Sequence, residues 1–126
     1  MKRINVTSTP EFEKDKKSLA KKFKSIDKDL DTFITYGATL YHIDGLDSSA
    51  ISEVPGFRNE KFKLFKVTKF ACMSLKNRES KSGIRLIYAF YETETSLEMI
   101  QMYFKADSEN MDYARASEYL KTVLKI

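Results

Sequence analysis

Cysteine and histidine each occur once, as Cys72 and His42, tryptophan is absent, and the 126 residues hold only two prolines and four glycines. One thiol closes no internal disulfide, and one imidazole builds no histidine-based zinc module and makes a histidine-dependent triad a poor candidate. So little glycine and proline argues against a linker, a low-complexity tail or a collagen-like repeat. The glycines (Gly37, Gly45, Gly56, Gly83) never cluster, which removes the glycine-rich nucleotide signatures. The longest apolar runs, around residues 86–91 and 99–104, have strand length, far short of the roughly 20 residues of a spanning helix. No membrane association is therefore expected. Met1-Lys2-Arg3 is followed by Asn5, Thr7 and Ser8 rather than an apolar stretch, so no secretory signal is expected and the expected location is the cytoplasm.

What is present is 42% apolar and 32% charged residues, a composition that can build a core under a highly charged surface. Residues 1–126 read as a single domain. The formal net charge of +4 hides an uneven distribution. Residues 58–85 carry Arg58, Lys61, Lys63, Lys66, Lys69, Lys76, Arg78, Lys81 and Arg85 against only Glu60 and Glu79, a local net charge of +7. The flanking segments are neutral (1–57) and acidic (86–126). Polyanions attract such a segment through counterion release, although scattered solvated lysines would produce the same count.

The periodicities predict the elements. Residues 3–8 alternate as a short strand should. Thr9-Pro10-Glu11 starts a helix, with Phe12, Leu19, Ala20 and Phe23 on one face. Ser25 caps a second helix with an Ile26, Leu30, Phe33 and Ile34 stripe and Gly37 as its stop. Asp44-Gly45, Asp47-Ser48-Ser49 and Pro55-Gly56 mark residues 41–60 as loop. From Lys61 the period becomes two, with a slip at Leu64-Phe65 that reads as a bulge or a strand start. Two strong strands follow at 85–92 and 97–105, then a turn at 107–110 and a last helix over 111–126. The expected fold is α+β in the order β-α-α-β-β-β-α, an antiparallel-rich sheet with an N-terminal helical hairpin and a C-terminal helix.

Few side chains invite chemistry. Asp27, Asp29 and Asp31 alternate along a helix, do not converge on a metal, and read as a solvated acidic face. His42 lacks a ligand partner nearby in sequence and reads as structural or exposed. Cys72 sits between apolar residues, where a thiol stays protonated. No metal or other cofactor is expected. A sharper pattern lies on the strands. Lys66 is expected to share a polar face with Lys61 or Lys63, Arg85 opens the next strand, and Tyr103 and Lys105 project together from the last. Were these strands neighbours, one surface would offer amine, guanidinium, phenol and amine, a set suited to phosphodiester chemistry. The same residues could equally be edge protectors around a core tyrosine.

Phe65-Lys66-Val67, then Ser80-Lys81-Ser82-Gly83-Ile84-Arg85-Leu86-Ile87-Tyr88, then Met102-Tyr103-Phe104-Lys105-Ala106-Asp107 resemble, in this order, the RelE/HigB superfamily of toxins from type II toxin–antitoxin modules. The opening segment from Phe12 to Leu30 is similar to that family's first helices, and the resemblance runs from about residue 4 to 124. It implies a compact sheet flanked by helices and a metal-independent mRNA endonuclease acting in the ribosomal decoding site. There the ribose 2′-hydroxyl attacks the adjacent phosphate. By position, Arg85 would stabilise the transition state and Lys66 would bind phosphate or act as base. Tyr103 would stack on a base or assist proton transfer, and Lys105 would contact phosphate or act as acid. Lys61, Lys63, Lys69, Lys76, Arg78 and Lys81 would meet RNA or the ribosome. The implied partners are a cognate antitoxin, the ribosome and mRNA, with DNA reached only through a toxin–antitoxin complex.

The chain departs from the family pattern at Thr68, Met102, Phe104 and Ala106, while Tyr113 stands nearest the family's C-terminal tyrosine. Two other readings use the same fold. One is a ParE-like toxin that inhibits DNA gyrase by binding. The other is a catalytically silent RNA-binding or regulatory module.

Overall fold

Thr9 opens the first helix as its residue type predicts, its hydroxyl accepting from Phe12 N at 3.1 Å with Pro10 in the first turn. In the computed structural model, which describes residues 4–74 and 83–124, this helix is α1 (Pro10–Lys22) and follows strand β1 (Asn5–Ser8). Next come α2 (Ile26–Thr32), a π-helical stretch (Phe33–Ala38) and α3 (Thr39–His42). Strands β2 (Ile51–Arg58), β3 (Lys63–Val67), β4 (Ile84–Tyr91) and β5 (Ser96–Phe104) lead to the C-terminal α4 (Tyr113–Leu124). The fold is mixed α+β, as expected.

The strands form one sheet in the order β1-β5-β4-β3-β2, with β1 parallel to β5 and every other pair antiparallel. Both faces are covered. Phe12, Leu19, Ile26 and Leu30 of α1 and α2 pack with Phe65, Val67, Leu86, Tyr88 and Met102 in the larger core. On the other face Met111 and Ala116 pack with Leu64, Ile87, Ile100 and Tyr103, together with Tyr119 of α4. Burial on both faces is the reason hydrophobic alternation along the central strands is incomplete.

Four sequence expectations are corrected. Residues 51–58 are an edge strand rather than loop, so the order becomes β-α-α-β-β-β-β-α with the second helix extended. Pro55-Gly56 imitates a turn, but an edge strand tolerates proline, and Gly56 at φ +84° lies where the β2–β3 register shifts between Glu53 and Arg58. Gly37 does not stop the helix: it sits inside the π-helical stretch, where a Cβ would lie 2.7 Å from the Phe33 ring. At the Leu64-Phe65 slip the strand-start reading holds, β3 opening at Lys63, and the bulge reading does not, since the β3–β4 register runs unbroken from Lys63↔Phe90 to Val67↔Leu86. Both residues are apolar because each of them faces a core.

The fourth correction concerns Asp29, which is buried rather than part of a solvated acidic face. Its carboxylate accepts from Ser25 Oγ (2.7 Å) and from Met73 N (3.2 Å), tying α2 to the segment after β3. Cys72, beside it, is buried as well, and burial raises its thiol pKa. A real bulge lies elsewhere. In the β4–β5 ladder Ile87 faces Gln101 and the next residue, Tyr88, faces Met99, so Ile100 is one residue extra.

Candidate active site

Strand register places Lys66, Arg85 and Tyr103 on the same face of the sheet, the one partly covered by α4. Lys66 stands opposite Ile87 on β4 and Ser52 on β2, Arg85 stands opposite Tyr103, and Ile87 and Tyr103 both belong to the α4-side core. Lys66 and Arg85 are thus diagonal neighbours, about 7–8 Å apart at the backbone. Lys105 lies one rung past β5, where its N donates to Gly83 O (2.8 Å), and the alternation of the ladder puts its exposed side chain on the same face.

Arg85 is anchored by Nη1, which donates to Thr68 O at 2.7 Å, leaving its remaining donors for other groups. Tyr103 is only 6% exposed, and its hydroxyl has no hydrogen-bond partner among the described residues. Burial raises its pKa while the nearby Arg85 charge partly offsets the rise, so the phenol stays protonated as a donor without an acceptor. The first turn of α4 adjoins it. Gln101 Oε1 accepts from Asp112 N (2.7 Å), and Asp112 Oδ1 accepts from Arg115 N (3.0 Å) to cap the helix. Tyr113 is 54% exposed and stacks against Phe57 of β2, with ring centroids 6.2 Å apart.

Not every expected cation joins this group. Lys63 pairs with Phe90, whose side chain lies in the opposite core, so Lys63 faces away from Lys66. Lys61 and Lys63 instead line a cavity of about 410 Å³ beside His42, Phe65, Phe90 and Glu92. The expectation that they share the face of Lys66 is therefore corrected: β3 has no slip, and residues of opposite parity point to opposite sides. Lys69 Nζ donates to Ser49 Oγ at 3.1 Å, and Lys76, Arg78 and Lys81 lie outside the described residues. Phe57 and Gln101 carry no signal in the sequence. Phe57 follows the Pro-Gly pair that disguises β2, and Gln101 reads as an ordinary polar strand residue.

His42 has a structural place at that cavity. It stacks on Phe90 (3.9 Å between centroids) and its Nε2 shares a 2.6 Å hydrogen bond with the Tyr88 hydroxyl. Burial lowers its pKa to about 4. The unfolded chain takes up this proton as pH falls through roughly 6.5, whereas the folded chain resists until about 4. Stability carried by neutral His42 is thus complete above pH 6.5 and declines between the two values. Allowing for its partial exposure, the loss should be about 1–2 kcal/mol. Urea unfolding from pH 7 to 4.5 should show this slope, and His42→Asn should flatten it. Equal slopes in both proteins would refute the assignment.

One twisted five-stranded sheet with helices on both faces, and a cationic and phenolic cluster at one end, defines an α+β domain with a RelE-like fold. A chain of the archaeal RelE–RelB complex from Pyrococcus horikoshii OT3 has this fold. The similarity covers 85% of the present chain and 100% of that one, with a TM-score of 0.52 at 11% sequence identity. No protein-family model matches the sequence, and no curated protein does. Among the described residues no helix is long and apolar enough to cross a membrane, and no group of histidine, cysteine and carboxylate side chains could hold a metal ion.

Proposed function

We propose that this protein is the toxin of a toxin–antitoxin pair and acts as a metal-independent endoribonuclease on translated mRNA. The observation that carries this reading is the common face of Lys66, Arg85, Tyr103 and Lys105 beside the first turn of α4. The RelE-like fold supports it, and the matched structure, a RelE–RelB complex, supports an antitoxin as partner. In the reaction the 2′-oxygen bonds to phosphorus while the P–O5′ bond breaks, leaving a 2′,3′-cyclic phosphate and a 5′-hydroxyl. Arg85 holds nonbridging oxygens as charge develops. Lys66 binds the phosphate or takes the 2′-hydroxyl proton, and Tyr103 or Lys105 returns a proton to O5′. With the Tyr103 ring buried, stacking on a base falls to the exposed Tyr113, backed by Phe57.

The burial of the Tyr103 hydroxyl favours one competing reading, a silent RNA-binding module. Inducible expression in bacteria followed by primer extension on an abundant mRNA separates the cases. The nuclease should arrest growth and produce new cleavage sites within translated codons. Arrest without RNA cleavage would redirect attention to a target such as DNA gyrase. Normal growth at confirmed soluble expression would support the silent module.

A further inference from the structure

The extra residue in β5 decides which face Tyr103 occupies. Leu97 and Met99 face the α1/α2 core, and so does Met102, three residues beyond Met99 rather than two. Without the bulge at Ile100, strict alternation would turn Tyr103 and Lys105 to that core and away from Arg85. The bulge lies where β5 loses its outer neighbour. β1 pairs with Ser96 to Met99 and then turns into α1, so among the described residues the outer edge of 100–104 has no strand beside it.

Three side chains occupy that edge. Arg115 Nη1 donates to Ile100 O (3.0 Å), joined by Thr9 Oγ1 at 3.5 Å, and Met102 N donates to Asp15 Oδ2 (3.1 Å). Asp15 and Arg115 are themselves bridged by two hydrogen bonds, Nη1 to Oδ2 at 2.5 Å and Nη2 to Oδ1 at 3.3 Å. Between these contacts, Gln101 receives the start of α4 on its side-chain oxygen. Three consecutive residues before Tyr103 are thus each held by a different group. Asp15 comes from α1 and Arg115 from α4, so both helices bear on the bulge. The pair is mostly shielded from water, where a charged fork is directional and resists screening.

We infer that Asp15 and Arg115 are positioning residues that pin the Ile100 bulge and thereby aim Tyr103 and Lys105 at the face of Arg85. The consequence for catalysis rests on the nuclease reading above, whereas the aim of Tyr103 can be measured without it. The test uses the full chain with Asp15→Asn, which keeps an acceptor and removes the charge, and Arg115→Lys, which keeps the charge and removes the fork.

Two measurements follow the bulge directly. Amide hydrogen exchange should accelerate about tenfold or more at residues 100–104 while residues 97–99, held by β1, keep their protection. In samples labelled with 13C at tyrosine Cζ, the ionisation midpoint of Tyr103 should fall toward the ordinary value of about 10. Codon-internal cleavage should drop by roughly a hundredfold, as for a small misplacement of catalytic groups, with far-UV circular dichroism unchanged. Unaltered exchange and Tyr103 titration in both variants would overturn the inference, and so would exchange that rises uniformly over all strands. If the wild type cleaves no mRNA, the nuclease reading fails, and the exchange and titration still decide whether the pair pins the bulge. Should both variants fail to fold, Thr9→Asp, which keeps an N-cap acceptor for Phe12 N and removes the hydroxyl donor to Ile100 O, supplies the same local readout. It is expected to accelerate exchange at 100–104 modestly, and no local change there would count against the inference.

Discussion

Arg85→Ala should abolish growth arrest at expression equal to the wild type, with mRNA cleavage reduced by about a hundredfold to a thousandfold. Among the described residues the guanidinium is the one group on this face able to meet two phosphate oxygens at once, and under the proposed nuclease reading its anchoring to Thr68 O removes the cost of orienting it. Arg85→Lys keeps a positive charge but loses both the fork and the Thr68 contact, so it should recover only a small part of the activity. The fold should survive either change, since the lost hydrogen bond is worth about 1 kcal/mol. Primer extension and circular dichroism on the same variants would separate catalysis from folding. Full arrest with Arg85→Ala would remove Arg85 from the mechanism.

Tyr88→Ala should have the largest effect on stability. Tyr88 is completely buried at the centre of β4, with ring centroids 5.6 Å from Phe65 and 6.0 Å from Phe33. Emptying this position should cost about 3–5 kcal/mol, a large share of the roughly 5–15 kcal/mol that holds a domain together. Tyr88→Phe keeps the ring and deletes only the hydrogen bond to His42, so about 1 kcal/mol is expected. Urea midpoints should therefore fall steeply for the first variant and slightly for the second. Equal losses would mean that the hydroxyl, not the ring, carries the contribution. Because burial holds the phenol well above its ordinary pKa, it is neutral at every pH suited to these measurements.

Elements with local signals are legible in the sequence. Thr9-Pro10 and the acidic first turn mark α1, and the long apolar runs mark β4 and β5. β2 is not legible, because its Pro-Gly pair has the chemistry of a turn and only the neighbouring β3 makes it an edge strand. The same holds for the helix through Gly37, which continues because the Phe33 ring takes the space a side chain would fill. Asp29 looks solvated until the segment after β3 folds over it and supplies Met73 N.

The candidate site divides along the same line. Residue type and order single out Lys66, Arg85, Tyr103 and Lys105, since guanidinium, amine and phenol chemistry belongs to the side chains themselves. Their convergence does not follow from order. With a period of two, each inserted residue inverts every side chain beyond it, so the face of Tyr103 depends on whether Ile100 is paired or bulged. Pairing is a property of strands that meet from distant parts of the chain. Asp15 lies 87 residues before Met102, yet its carboxylate holds that amide. The local code writes the strand and the candidate groups; only the packed sheet, with α1 and α4 pressed on its open edge, chooses the side on which they stand.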